Sequence, residues 1–147
     1  MRAIVWFRVA AVLMLLFAVG HTFGFLAFRP PTAEGLAVWE AMQRVQFSVR
    51  HSTFSYGGFY VGFGLFISAF GLFGAWLAWV LGSMARRGVM EARTIAWGMF
   101  GLQCVSLGLA LKYFSVGPAM LSGLTAVCFL VGAVRVQQPE TASAMRS

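Results

Sequence analysis

FSYGGFYVGFGLFISAFGLFGAWLAWVLG, residues 54–82, is the stretch that decides the fold, and it contains no charged residue. Small residues recur at Gly57, Gly64, Gly71 and Ala78, with Ser68, Ala75 and Gly82 between them. The spacing alternates between four and three, as in a seam where helices pack closely. Phe59, Phe63, Phe66, Phe70 and Phe73 repeat with the same alternation. At about 100° per residue the two sets fall on opposite sides of one helix. Small residues let a neighbouring backbone approach, which is how helices associate in lipid. The stretch therefore reads as a membrane-spanning helix with a close-packed face and an aromatic face.

The rest of the chain agrees with that class. Of its 147 residues, 60% are hydrophobic and 10% charged, and the mean hydropathy is +0.81. Soluble domains carry about 25% charged residues, so a water-soluble fold of this length would leave too much apolar surface exposed. A span needs about 20 apolar residues. Four fit, over residues 4–28, 54–82, 94–114 and 118–134, which leaves no room for a separate soluble domain. The formal charge of +7 and pI near 10.8 come from basic residues at span ends. They read as topology signals, and the absence of a basic run among polar residues argues against nucleic acid.

Towards the N-terminus, Arg2 and Arg8 precede an apolar run. Ala18-Val19-Gly20 loosely fits a signal-peptide cleavage site. The run continues through Phe23, Phe25, Leu26 and Phe28, so an uncleaved first span is expected. Arg29-Pro30-Pro31 ends it, because proline lacks the N–H and its predecessor avoids helical dihedrals. Thr32 is then the expected N-cap. Over residues 33–49, Val38, Trp39, Met42, Val45 and Val49 share one helical face, and Glu40, Arg44 and Ser48 lie opposite. This predicts an amphipathic helix on the membrane surface, with Glu40 and Arg44 at a supportive i,i+4 spacing. Residues 50–53 form a polar link, and no strand is expected anywhere.

Beyond residue 82, Arg86-Arg87-Gly88 is a basic turn. Lys112 and Tyr113 end the third span as a snorkelling lysine and an interfacial aromatic. Gly117-Pro118 marks a turn, with Pro118 suited to a first helical position. Arg135 closes the fourth span, and residues 136–147 form a polar tail. With four spans, Arg2, Arg8, Arg86, Arg87, Arg93, Arg135 and Arg146 share one side, opposite Arg29, Arg44, Arg50 and Lys112. The positive-inside rule then places both termini in the cytoplasm. The expected fold class is an all-α integral membrane four-helix bundle with an amphipathic surface helix between spans one and two.

His21-Thr22-Phe23-Gly24-Phe25-Leu26, together with Phe59-Tyr60-Val61-Gly62-Phe63-Gly64-Leu65 after a polar loop, resembles a group of small bacterial four-span conserved hypothetical membrane proteins. The general layout is also similar to that of the DoxX-like four-helix membrane proteins. The resemblance implies a helical bundle in the bacterial inner membrane. It supplies no active site, so no catalytic residue is carried over.

Ionisable groups inside a span are functional candidates by default. His21 leads, flanked by Gly20 and Gly24, whose lack of side chains invites a neighbouring backbone to approach. Charge is disfavoured at that depth, so a neutral imidazole with one donor and one acceptor nitrogen is expected. Gln103, a loosened carbonyl or a tyrosine hydroxyl would serve as partner. Tyr60, Lys112 and Tyr113 belong to an outer rim with Tyr56, Glu40 and Arg50, and Gln103 lies mid-span. With His21, the residues Tyr60, Lys112, Tyr113 and Gln103 make the candidate ligand-binding set. His51 sits in the outer loop at a different depth. No CxxCH, HExxH or paired-histidine spacing occurs, so neither metal nor cofactor is expected. Cys104 and Cys128 lie in apolar stretches and read as small hydrophobes. The chain has no aspartate, and its glutamates fall outside the spans, which argues against proton-coupled transport.

Two readings follow. One is a non-enzymatic accessory subunit or apolar-ligand module, partnered by the bilayer, by a lipophilic molecule, by another membrane subunit or by a second copy. The other is a membrane enzyme acting on a quinone, sterol-like or acyl lipid, with His21 as acid/base.

Overall fold

The apolar runs become four long helices: proline follows the first, a serine hydroxyl caps the start of the second, and arginine closes the second and the fourth. The computed structural model describes residues 3–136. Its elements are α1 (Ala3–Ala27), α2 (Ala33–Arg44), β1 (Gln46–Val49), β2 (Ser52–Ser55), α3 (Tyr56–Arg86), α4 (Glu91–Tyr113) and α5 (Val116–Arg135). The helices α1, α3, α4 and α5 are each long and apolar enough to cross a membrane. Apart from Val136, which caps α5, the expected polar tail lies outside the described residues.

Two expectations about the connecting segment are corrected. The surface helix ends at Arg44 rather than at residue 49, and the residues after it form an antiparallel hairpin. Val45, Phe47 and Val49 alternate with Gln46 and Ser48, a period-two pattern in β-branched and aromatic residues that suits a strand. Phe47 pairs with Phe54, and Ser48 with Thr53, whose hydroxyls lie 3.2 Å apart. Arg50 takes a positive φ of 54° in the two-residue turn. At the start of α2, the Thr32 hydroxyl accepts the Gly35 N–H at 3.1 Å, the expected N-cap. The α2 side chains are not buried, and Glu40 and Arg44 are exposed without an ion pair.

The long helices also differ in detail from the expected bounds. Ser55 Oγ accepts the Gly58 N–H at 2.9 Å and so starts α3 two residues late, and α3 runs on to Arg86. The helix α4 begins at Glu91, which places that carboxylate in a first turn, where the helix dipole favours it. Pro118 is the third residue of α5, not the first. Its missing N–H is still one that no helical carbonyl would have met.

The described residues divide into two compact units, residues 3–17 with 72–136 and residues 18–71. The first has a core drawn from α1, the later part of α3, α4 and α5. Alanines dominate it: Ala10, Ala78, Ala92, Ala96 and Ala133 are fully buried. Small side chains bring helix axes close, the usual basis of packing between membrane helices. Phe7, Phe129 and Leu81 are the large exceptions. Phe7 lies against Phe129 with ring centroids 6.3 Å apart, over Gly132, where a Cβ would overlap its ring.

The second unit holds the later part of α1, α2, the hairpin and the first half of α3. Phe47 ties the hairpin to α3, with its ring centroid 4.8 Å from that of Tyr56 and 5.7 Å from that of Phe59. Gln43 lies where a side chain on Gly57 would be. Along α3 the small stripe turns inward: Gly57, Ser68, Gly71, Ala75, Ala78 and Gly82 are buried. The bulky stripe turns outward, with Phe66 63% and Phe73 58% exposed.

Candidate functional site

The polar groups of the second unit converge on the carbonyl of Gly64. Gly64 has no Cβ, and the Phe25 ring occupies the place where one would project. One turn earlier on α1, the His21 ring lies against Phe25, with centroids 5.1 Å apart and planes tilted by 33°. Its Nε2 lies 3.2 Å from Gly64 O. A carbonyl only accepts, so Nε2–H is the donor. The partner is a backbone carbonyl inside the unbroken helix α3.

Beside it, Thr22 Oγ1 lies 2.6 Å from Ser68 Oγ and 2.8 Å from Ala18 O, and Ser68 Oγ lies 3.2 Å from Gly64 O. Two hydroxyl protons serve these three contacts. The two shortest contacts use both when Thr22 donates to Ala18 O and Ser68 to Thr22; the other arrangement has Thr22 donating to Ser68 and Ser68 to Gly64. In the latter, Gly64 O accepts from two side chains on two helices. This is a polar clasp between α1 and α3, made where small residues bring the helices together. Gly20 and Gly24 do not play the expected part. A Cβ at either would meet nothing within 4 Å, and the close approach occurs at Gly64 instead.

Tyr60 extends the cluster. It meets Phe25 edge-on at 6.4 Å and Trp39 of α2 edge-on at 5.8 Å. The Arg29 guanidinium lies 5.7 Å from the Trp39 ring and donates to Phe28 O at 2.9 Å. His21, Phe25, Tyr60, Trp39 and Arg29 thus form a continuous line of ring and cation contacts.

The other candidates fall in the first unit. Lys112 Nζ lies 5.1 Å from the Tyr113 ring centroid, and both side chains are exposed. Gln103 is 7% exposed, and its Nε2–H points at Met14 Sδ from 4.0 Å, a weak acceptor. The structure therefore groups His21 with Tyr60, and Lys112 with Tyr113, while Gln103 sits in the core. His51 is exposed in the hairpin turn. Among the described residues no three of His, Cys, Asp and Glu cluster as metal ligands.

Sequence reasoning missed three members of the clasp. Thr22 and Phe25 sit within the quoted His21 motif but lack a pattern of their own. Ser68 reads only as a small member of the α3 stripe. The chain matches no protein-family model, no curated protein and no solved structure.

Proposed function

We propose that this chain is a multi-pass protein of a bacterial inner membrane, with cytoplasmic termini, acting without catalysis as an accessory helical subunit. One observation carries the reading: His21, the leading acid/base candidate, is engaged with Gly64 O and packed against Phe25. The Nε2 donor holds α1 to α3, which supports a structural part for this ring, and a catalytic role would have to fall to Nδ1. The outward aromatic stripe of α3 supplies apolar surface for lipid, a partner helix or an apolar molecule. The resemblance to small bacterial four-span proteins is the source of the inner-membrane assignment.

Two measurements test the proposal. The chain should stay in the membrane pellet after an alkaline carbonate wash; release into the supernatant would overturn the membrane reading. Native mass spectrometry from mild detergent should show the same bound species for wild type and His21→Ala. Loss of a tightly held lipophile from a stably folded His21→Ala protein would favour the enzyme reading.

A further inference from the structure

One face of α1 in the first unit carries a shallow groove lined by Ile4, Val5, Arg8, Val9, Val12 and Leu13. At 1.5 Å per residue the groove is roughly 14 Å long. Its surface is apolar, so Arg8 contributes only its aliphatic stem. The head of Arg8 folds away over Trp79, 3.2 Å from the ring centroid, and Nη2 donates to Ser83 Oγ at 3.1 Å. Its Nη1 is enclosed with no acceptor. No carboxylate pairs with Arg8 among the described residues.

A second arginine lies beyond the opposite flank. Arg135 is 5.8 Å from the Trp6 ring centroid, and the Trp6 Nε1–H is buried without an acceptor. The start of α1, the ends of α3 and α5 and the start of α4 thus bring Arg8, Arg86, Arg87, Arg93 and Arg135 to one end of the unit. Against them stands one described carboxylate, Glu91.

A shallow apolar groove flanked by arginines matches one kind of molecule in both halves. We propose that this groove binds an anionic phospholipid. One acyl chain lies along Val5, Val9 and Val12, and the phosphate accepts from Arg8. Because Nη1 is enclosed, the guanidinium must swing outward from Trp79 and Ser83 to meet it. The surrounding arginines favour a net-negative headgroup over a zwitterionic one, since basic residues at a membrane surface attract anionic lipid. The inference rests on the membrane reading above.

The test uses the full chain in mild detergent, incubated with equal amounts of phosphatidylglycerol and phosphatidylcholine of the same acyl length. Bound lipid is counted by native mass spectrometry. Wild type should retain phosphatidylglycerol in preference, and Arg8→Gln should reduce that preference about five-fold, the effect of one arginine near an anionic surface. Val12→Trp fills the groove at an exposed position and leaves Arg8 in place. It should remove retention of both lipids, and it decides the matter if Arg8→Gln fails to fold. Millimolar inorganic phosphate should not displace the lipid. Equal retention of the two lipids, an unchanged preference in Arg8→Gln, undiminished binding in Val12→Trp, or displacement by phosphate would each overturn the proposal. A chain that survives the carbonate wash but shows no lipid preference would sink this inference alone.

Discussion

His21 and Gln103 are both polar groups in apolar helices, and their surroundings predict opposite responses to mutation. The Gly64 carbonyl that receives His21 also lies 3.2 Å from Ser68 Oγ. His21→Ala therefore leaves that carbonyl within reach of the Ser68 hydroxyl, and the loss should be about 1 kcal/mol, that of an ordinary hydrogen bond. A lower melting temperature in detergent, with co-purifying species unchanged, is the expected result; unaltered stability would mean that the clasp contributes nothing. Gln103 is in the other position. Its amide is buried against a thioether, a poor substitute for the water it gave up. Burying an amide without a good partner costs about 1–3 kcal/mol on mutational scales. Gln103→Leu, close in volume, should thus raise the melting temperature. A fall would mean that the amide meets a stronger partner in the membrane, and would return Gln103 to the candidate site.

The α3 helix separates a packed face from an exposed one along its length. Gly64 lies under Phe25, whereas Phe73 is exposed. Gly64→Leu must displace the Phe25 ring and with it His21, an overpacking change of about 1–3 kcal/mol. Phe73→Leu keeps an apolar side chain on an open face and should stay within about 0.5 kcal/mol. Comparing the two by thermal unfolding in one detergent checks the stripe; equal effects would make it incidental. The stripe and the four long helices were legible because apolar run length and spacing are local properties of sequence. The hairpin was not. Val38, Trp39, Met42, Val45 and Val49 satisfy a helical period, yet Val45, Phe47 and Val49 satisfy a strand period equally well. Pairing with Ser52–Ser55 settled the choice, and pairing is not local. The site follows the same division. His21 stands out as a titratable group in an apolar run, but its acceptor is a backbone carbonyl, which has no side-chain signature. Arg8 reads as a topology charge until Trp79, far along the chain, is seen against it.

For the whole molecule, the proposed orientation rests on where charge collects. The ends of α3 and α5 and the starts of α1 and α4 share an end of the first unit, the end that carries Arg8, Arg86, Arg87, Arg93 and Arg135. Two of these arginines lie against tryptophan rings, a pairing suited to headgroup depth. Arg29, Arg44, Arg50 and Lys112 belong to segments that a four-span path places on the opposite side. Lysine and arginine near span ends set orientation, and the excess marks the cytoplasmic face. A reporter fused at Gly88, in the turn between α3 and α4, should behave as cytoplasmic, and so should one fused after Ser147. A cysteine placed at Ser52 in the exposed hairpin should react with a membrane-impermeant maleimide added to intact cells. Periplasmic behaviour of both fusions with an unreactive Ser52→Cys would invert the arrangement. Disagreement between the two fusions would mean that one of the four long helices does not cross, and α4, the least apolar of them, is the helix to examine first.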